Sequence, residues 1–176
     1  QSTSFRTLCL PMTTLPWTEN FDALTAGTNV FPPCWAYTNT TSTWSISTTP
    51  APANSGANML RRTWSTDGWA FTPPATLTAG TSYTFSYFVK TNNTTVGYDV
   101  TIGVGTGQNA TAMTAINSVT GYQGPAWVKV SHVFVPTVSG DYSFGIHVVA
   151  PSAPSGINFD DFKIELTPAC VEPTSV

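Results

Sequence analysis

The chain has 176 residues, enough for one domain with a substantial core, and it carries a net charge of −3 without a basic cluster. Charged residues make up 9% of the sequence, whereas a soluble domain usually has about a quarter. The composition therefore argues against a nucleic-acid partner, and no apolar run is long enough to insert into a membrane as a span.

The predicted elements are short strands. Segments rich in aromatic and β-branched residues alternate with polar residues and are bounded by Gly and Pro clusters, as strands are. Apolar residues at the helical period persist for no more than about two turns anywhere, the nearest case being residues 110–119. The sequence predicts strands, in chain order, at residues 17–22, 35–37, 44–47, 59–62, 69–73, 82–91, 98–104, 126–135, 141–149 and 156–166.

These strands predict an all-β fold, a two-sheet antiparallel jelly-roll β-sandwich. Residues 82–91 and 98–104 are expected to be antiparallel partners, and residues 126–135 and 141–149 are expected to form a hairpin. The first and last strands both carry acidic residues, so we expect them to lie close together in one sheet. That closure of the chain on itself is what favours a jelly roll.

Two adjacent carboxylates, Asp160 and Asp161, stand in the middle of the last strand. Neighbouring residues of a strand point to opposite faces, so one of the two must face inward or lie under a loop. A buried carboxylate needs a cation or several hydrogen-bond donors, and the chain contains six Lys and Arg in all. A bound metal ion is therefore a candidate partner, and a surface carboxylate pair is the alternative.

Several short motifs follow one another along the chain. They are LPWTENFD at 15–22, FPPCW at 31–35, GWAFTP at 68–73, LTAGTSYTFS at 77–86, SGDYSFG at 139–145 and INFDDF at 157–162. In this order they resemble the cleaved-adhesin and choice-of-anchor-J modules, which are jelly rolls related to MAM domains and are found in large secreted bacterial proteins. The stretch before Trp69 departs from the family pattern.

The resemblance implies a structural calcium ion. Family members hold it with an acidic residue of the first strand, one residue of the terminal Asp pair, and loop carbonyls. Glu19, Asp160 and Asp161 match the acidic positions, and the loop that contains Asn54 and Asn58 would supply the carbonyls. Calcium is a hard cation that takes six to eight oxygen ligands, so this donor set suits it. The alternative is that Glu19 caps backbone donors and no ion binds.

The resemblance also implies a modular organisation. Residues 1–14 would be an N-terminal arm, residues 15–167 the jelly-roll module, and residues 168–176 a linker that is similar to the entry of a fibronectin-type repeat. The chain would then be one module of a longer array, with neighbouring domains in the same chain. Low charge and few lysines agree with a secreted or cell-surface protein.

The three cysteines, Cys9, Cys34 and Cys170, do not have the spacing of a zinc site. Cys9 and Cys34 lie on either side of the first strand, so we predict a disulfide between them. Cys170 would then find its partner in a neighbouring domain.

One aromatic residue stands apart from the others. Trp64 lies in a polar loop beside Arg61 and Arg62, and Tyr122 lies in a second polar stretch. Exposed rings of this kind stack on the apolar C–H face of a sugar, and an Arg can donate to its hydroxyls or to an acidic group. The alternative for each ring is that it is folded back on its own domain. The remaining tryptophans are expected in the core: Trp17, Trp35, Trp44, Trp69 and Trp127.

The motifs disfavour an enzyme. The sequence contains neither a Gly-x-Ser-x-Gly elbow nor a His-Glu-x-x-His pair, and His132 and His147, expected on one hairpin, would make a poor metal site. Two functions remain. The chain is either a non-catalytic module that binds a glycan or a host surface protein, or a structural spacer with no ligand beyond calcium. Exposure of Trp64 and Tyr122 would favour the first function, and burial of both would favour the second.

Overall fold

A computed structural model describes residues 9–38, 44–63, 67–92, 95, 97–149 and 156–168 of the chain. Trp64 and Cys170, which the sequence singles out, lie outside these residues. The described residues form thirteen strands and one 3-10 turn, and none of their helical segments is long and apolar enough to cross a membrane.

The strands are short near the N-terminus and longer near the C-terminus. In chain order they are β1 (Trp17–Glu19), β2 (Gly27–Thr28), β3 (Ala36–Tyr37), β4 (Trp44–Ser47), β5 (Met59–Thr63), β6 (Asp67–Phe71), β7 (Ala75–Leu77), β8 (Tyr83–Thr91), β9 (Tyr98–Gly105), β10 (Thr114–Tyr122), β11 (Val128–Phe134), β12 (Gly140–Val149) and β13 (Gly156–Leu166). The 3-10 turn, Ala110–Ala112, precedes β10.

The strands form two antiparallel sheets that pack face to face. Sheet I has the order β11-β8-β13-β5-β4-β2, with β1 also paired to β13. Sheet II has the order β10-β9-β12-β6-β3, with β7 also paired to β12. The predicted all-β, two-sheet antiparallel sandwich is therefore confirmed. The expected contact of the first and last strands is confirmed as well, since Trp17 of β1 lies opposite Ile164 of β13.

The alternation of residues along β8 shows which face of sheet I is buried. Tyr83, Phe85 and Tyr87 point to the core, where Phe85 stacks on Phe144 of sheet II with ring centroids 4.6 Å apart. Each such fully buried ring stabilises the fold by roughly 2–3 kcal/mol. The intervening residues of β8 face outward, which defines the outer face of sheet I. Phe88 and Lys90 are among them.

Two predicted strand pairings are wrong. Strands β8 and β9 belong to different sheets, and so do β11 and β12, which therefore form no hairpin. His132 contacts Tyr87 in sheet I, while His147 contacts Asp67 in sheet II, so the two histidines do not meet. The reason is that each connecting segment crosses from one sheet to the other, as in a jelly roll. Alternation of apolar residues identifies the buried face of a strand, but it does not identify the neighbouring strand.

Strand β10 was not predicted. Residues 110–119 come closest to a helical period in the sequence, yet they form the 3-10 turn and the start of an edge strand. Most side chains of β10 are exposed. An edge strand that faces solvent on most of its surface does not need the apolar alternation by which strands are recognised.

The N-terminal arm is attached to the sandwich by a covalent bond. Cys9 and Cys34 form a disulfide, which confirms the predicted pairing. Further along the arm, the backbone N–H of Met12 donates to Pro74 at 2.8 Å, and Met12 accepts from the N–H of Thr76 at 2.9 Å. The arm therefore behaves as a part of the folded domain from Cys9 onward.

The loop between β4 and β5, residues 48–58, folds over the outer face of sheet I. The Nζ of Lys90 donates to the carbonyls of Pro50 and Pro52 at 3.3 and 2.7 Å. Burial lowers the pKa of Lys90, and the nearby Asp160 carboxylate opposes that effect. The β4–β5 loop brings together most of the acidic and amide side chains that the sequence singled out.

Candidate functional site

A bulge in β13 brings both carboxylates of the Asp pair to the same loop. Asp160 lies opposite Phe88, but the pairing of β13 with β8 then shifts, and Lys163 is the next paired residue. Asp161 adopts a left-handed backbone conformation with φ 47°, which few residues other than Gly tolerate. In this conformation neighbouring side chains no longer point to opposite faces. The expectation that only one carboxylate lies under a loop is therefore too simple.

Asp160 is fully buried and accepts hydrogen bonds from the main chain. One carboxylate oxygen accepts from the N–H groups of Asn54 and Ser55, at 2.8 and 3.1 Å, and the other accepts from the N–H of Asp161 at 2.8 Å. Three N–H donors at hydrogen-bond distance satisfy much of what a buried carboxylate requires. Asp160 therefore acts first as an anchor for the β4–β5 loop.

Asp161 binds the side chains of the same two loop residues. Its carboxylate accepts from the Nδ2 of Asn54 at 2.6 Å and from the Oγ of Ser55 at 2.5 Å. Both of these side chains also carry an oxygen that can coordinate a metal ion. Oxygen-bearing groups thus surround the one carboxylate of the pair that is not fully buried.

The other predicted metal ligands stabilise turns near this loop. Glu19 accepts from the N–H of Phe21 at 2.6 Å, and burial raises the pKa of Glu19. Asn58 is buried, and its Nδ2 donates to the carbonyls of Phe21 and Leu24 at 3.1 and 2.8 Å. The amide nitrogen of Asn58 is therefore engaged with the main chain of the turn after β1.

The donor set is chemically suited to calcium. Glu19 and Asp161 line the same cavity, and Asn54 and Ser55 contact Asp161 directly. Carboxylate, amide and hydroxyl oxygens are hard ligands of the kind that calcium takes. Within the described ranges, no three His, Cys, Asp or Glu side chains cluster closely enough to hold a metal by themselves. An ion here would therefore depend on amide, hydroxyl and carbonyl oxygens as well as on two carboxylates.

The two arginines differ sharply in their surroundings. Arg61 is partly exposed, and its Nη1 donates to the carbonyl of Thr49 at 2.6 Å. Arg62 is fully buried, with its guanidinium 5.1 Å from the ring centroid of Trp44, and its Nη2 donates to the carbonyl of Asp67 at 3.0 Å. Burial lowers the pKa of Arg62 to about 10, so the side chain stays charged at neutral pH. Arg62 is not accessible to a ligand, and its assignment to the binding site is corrected.

Tyr122 is only partly exposed. It is half-buried at the end of β10, packs against the core, and donates through its hydroxyl to the carbonyl of Val89 at 3.3 Å. Burial raises its pKa. Tyr122 closes the edge of the sandwich between the two sheets, and its role as a second stacking ring stays a prediction.

Two of the tryptophans expected in the core lie on outer faces instead. Trp44 is fully buried, and Trp17 and Trp35 pack against the core as predicted. Trp69 stands on the outer face of sheet II, where it stacks on His147 and Phe71 at centroid distances of 4.5 and 5.5 Å. The ring of Trp69 is therefore engaged with side chains of its own sheet. The other exception is Trp127.

Trp127 lies on the solvent side of sheet I, just before β11. Its Nε1 donates to the carbonyl of Pro52 at 3.1 Å, and the Nζ of Lys90 lies 4.6 Å from its ring centroid. These two contacts hold the half-buried indole in one orientation without placing it in the core. A ring held in this way loses little conformational entropy when a ligand stacks on it.

A groove of about 450 Å³ opens on the outer face of sheet I, and its lining residue Lys129 lies two residues after Trp127 in the chain. Cross-strand register builds it, because Lys129 of β11 lies opposite Phe88, and Lys163 of β13 lies opposite Ser86. Its volume is within the range of small-molecule sites, about 300–1,000 Å³. We call it the sheet I groove, and its lining residues are Thr18, Glu19, Asn20, Ser86, Phe88, Lys129, Asp161, Phe162 and Lys163.

The sequence contains one signal for this groove, the position of Phe88 in β8. Phe88 is out of phase with Tyr83, Phe85 and Tyr87, so it stands on the polar side of an otherwise regular strand. An aromatic residue in that phase is either covered by another element or available to a ligand. Phe88 is only partly buried, so part of its ring faces the groove.

We expect the metal-free protein to gain stability as the pH falls from about 7 to about 5. Burial raises the pKa of Asp160 from 3.8 to about 6, and hydrogen bonds from Ser55, Asp161 and Asn54 oppose the rise. The folded state then binds the proton more readily than the unfolded state, so protonation favours folding. As the pH is lowered, the gain in the free energy of unfolding begins near pH 6 and amounts to about 1 kcal/mol by pH 5. It levels off below about pH 4.

Urea unfolding with a chelator present, at several pH values, measures this effect. Asp160→Asn should flatten the rise, whereas Asp141→Asn, in an exposed strand position, should leave it unchanged. A loss of stability between pH 7 and pH 5 in the unsubstituted protein would contradict the expectation.

Comparisons with known proteins bear on the fold. No protein-family model and no curated protein matches the chain. The K1 cleaved adhesin domain of Lys-gingipain from Porphyromonas gingivalis W83 is similar to it with a TM-score of 0.65 at 17% identity, covering 88% of this chain and 100% of that one. The jelly-roll architecture and the resemblance to cleaved adhesin domains are thereby confirmed at the level of fold.

Two carbohydrate-binding domains are similar to nearly the same extent. The CBM22-1 xylan-binding domain of Paenibacillus barcinonensis Xyn10C has a TM-score of 0.60 at 15% identity, covering 92% of this chain and 100% of that one. TmCBM61, solved in complex with β-1,4-galactotriose, has a TM-score of 0.60 at 15% identity, covering 84% of this chain and 94% of that one.

Proposed function

We propose that this chain is a non-catalytic glycan-binding module, and that the sheet I groove holds the sugar. The observation that carries the proposal is the polar groove on the solvent side of sheet I, which the partly buried ring of Phe88 lines. A second partly buried ring on the same side, Trp127, is held by Pro52 and Lys90. Two domains of similar fold, a xylan-binding domain and one solved in complex with galactotriose, support a glycan as the ligand.

The groove combines the two kinds of contact that a sugar requires. The rings of Phe88 and Trp127 can cover the apolar C–H face of a pyranose, which removes apolar surface from water. Phe88 shares the groove with hydroxyl and amide groups from Thr18, Asn20 and Ser86, and with charged groups that can hydrogen-bond to sugar hydroxyls. A rigid sheet holds most of these residues, so little ordering is needed on binding.

Calcium forms part of this proposal. We assign Glu19 and Asp161 as its carboxylate ligands, with oxygens of Asn54, Ser55 and the loop main chain completing the set. Asp160 and Asn58, which the sequence also assigned to the metal, position the loop and the adjacent turn through their hydrogen bonds. The ion would supply positive charge next to the groove and tie β1 to the β4–β5 loop.

The proposal includes no reaction. In the groove, Glu19 accepts from the main-chain N–H of Phe21, and Asp161 accepts from Asn54 and Ser55. These carboxylates hold loops and turns, which is a structural task and not that of a general acid or base. A weak binding module is useful mainly through multivalency, so the proposal also places the chain in a secreted or cell-surface protein with neighbouring domains.

Replacing either ring should remove glycan binding without unfolding the domain. We expect a Kd of roughly 0.1–1 mM for the best ligand on a glycan array, and a loss of at least about tenfold in Phe88→Ala and Trp127→Ala. Isothermal titration calorimetry measures the affinity, and circular dichroism checks the fold. Tyr37→Ala removes a ring that is 37% exposed on sheet II and serves as the control.

If the chain is a structural spacer, we expect it to bind no glycan. If the unsubstituted protein binds no glycan with calcium present, the glycan proposal fails and the spacer function replaces it. If glycans bind but both ring variants retain full affinity, the groove is not the site.

A further inference from the structure

We propose that the ligand of the sheet I groove is an acidic glycan, and that Lys129 pairs with its carboxylate or sulfate group. This inference rests on the proposed glycan-binding function and names the chemical class of the ligand. It starts from the distribution of positive charge, which is unusual in a chain with only six Lys and Arg residues.

All three lysines of the chain project from one face of one sheet. They are Lys90 on β8, Lys129 on β11 and Lys163 on β13. The register places Lys129 opposite Phe88 and Lys163 opposite Ser86, so both share the outward phase of β8. Because β11 and β13 flank β8, the backbones that carry Lys129 and Lys163 lie about 10 Å apart across the groove floor.

The three ammonium groups are not equally available. Lys90 is buried, and its Nζ is held by the carbonyls of Pro50 and Pro52. Lys163 forms an ion pair with Glu165 at 2.5 Å. Lys129 is exposed, and in the part of the chain that the structure describes it forms no ion pair. Lys129 is therefore the groove cation that can accept an anionic partner without losing an existing one.

Lys129 is also placed correctly relative to the rings. It stands directly across from Phe88 and two residues after Trp127, so its side chain lies next to the Phe88 ring on the outer face of sheet I. A pyranose that stacks on a ring directs its C5 substituent toward the edge of that ring. In a uronic acid this substituent is a carboxylate, and a Lys at the ring edge can bind it as a charged donor.

Glu19 and Asp161 line the groove near β1 and the β13 bulge, away from the β11 edge. The proposed calcium ion engages both carboxylates, so neither repels an acidic ligand in the calcium-loaded protein. Lys129 supplies the positive charge at the β11 side of the groove, away from the ion.

Calorimetry with matched oligosaccharides tests this assignment. The probes are an oligogalacturonate and the corresponding neutral galactose oligomer, each titrated into the calcium-loaded protein at low and at physiological ionic strength. We expect the acidic oligomer to bind at least about fivefold more tightly at low salt, and the preference to shrink as salt is added. Lys129→Gln should lose most of the preference, and Lys129→Arg should keep it.

The variants separate this inference from the proposed function. If the neutral oligomer binds as tightly as the acidic one, or if Lys129→Gln weakens both equally, the acidic-ligand inference is overturned while glycan binding stands. If a preference for the acidic oligomer exists but is lost in Lys163→Gln and not in Lys129→Gln, the assignment to Lys129 is overturned. If neither these oligomers nor an array of glycans binds, the proposed function itself fails.

Discussion

Millimolar calcium is expected to raise the free energy of unfolding by about 4 kcal/mol, if the ion binds the folded state alone with a micromolar Kd. The gain follows from linkage, because the ion must dissociate before the chain unfolds. Glu19 and Asp161 belong to β1 and β13, and Asn54 and Ser55 to the β4–β5 loop. An ion between them therefore joins segments that are far apart in sequence, and the unfolded chain cannot reproduce the site.

The chelated protein should still be folded. The β4–β5 loop is held without an ion by Asp160 and by Asp22, whose Oδ1 accepts from the N–H groups of Ala57 and Asn58 at 2.8 and 2.9 Å. Calcium thus adds stability to an existing arrangement, which differs from a small domain that folds only when its metal binds.

Differential scanning calorimetry with calcium and with chelator measures the gain. Glu19→Ala and Asp161→Ala should each remove most of it. Asp141→Ala is the matched control, because it also removes a strand carboxylate that bonds to a neighbour, in this case the Oγ1 of Thr76. Identical melting curves with calcium and with chelator would refute the calcium assignment. A gain that survives both variants would place the ion elsewhere.

The architecture could be predicted from the sequence because burial imposes alternation on strands. The alternation of Tyr83, Phe85 and Tyr87 identifies a strand with one buried face, and the acidic first and last strands suggested their pairing. The partners of the middle strands were not predictable in the same way. Two consecutive strands show the same alternation of apolar residues whether they pair in one sheet or lie in different sheets. No local pattern therefore distinguishes a hairpin from a crossover.

The acidic site could be predicted only in outline. The Asp pair and the Asn-containing loop were singled out from the sequence and from the family resemblance, and the structure brings Asn54 into contact with both carboxylates. The way in which it does so depends on the left-handed conformation of Asp161. A positive φ at a residue other than Gly has no reliable sequence signal, since tertiary contacts hold it in place.

The ligand-binding residues were the least predictable part. Arg62 sits in phase with the buried Leu60, so the alternation of β5 already places it on the inner face, where Trp44 lies opposite. Phe88, in contrast, is out of phase with the buried rings of β8, so it was the better candidate for a ligand-binding residue. Whether such a residue meets solvent or a covering loop depends on long-range packing. The β4–β5 loop covers Lys90 and stops beside Trp127, and the sequence does not show where a loop stops.

Removing the Cys9–Cys34 disulfide is expected to lower the free energy of unfolding by about 3 kcal/mol. The bond closes a loop with a sequence separation of 25 residues, and a cross-link of that length restricts the unfolded chain by about this amount in the chain-entropy model. For a domain of this size the melting temperature should fall by about 10 °C.

The backbone conformation of Cys34 adds to the destabilisation that follows removal of the disulfide. Cys34 adopts a left-handed conformation with φ 68°, which is unfavourable for a residue with a side chain. The disulfide and a hydrogen bond from the Nε2 of Gln108 to the carbonyl of Cys34, at 2.7 Å, hold it there. In the double variant Cys9→Ser/Cys34→Ser the same conformation must be kept without the covalent bond, so we expect the corner to be the first part of the domain to open.

Thermal and urea unfolding of Cys9→Ser/Cys34→Ser test this expectation, and hydrogen exchange locates the opening. The amides of Met12 and Thr76, which bond across the arm, should lose protection before those of β8 and β13. Cys170→Ser is the control and should unfold like the unsubstituted protein. Equal stability of the double variant and the unsubstituted protein would show that the bond does not restrict the unfolded chain. A Cys34–Cys170 link found by peptide mapping would overturn the pairing itself.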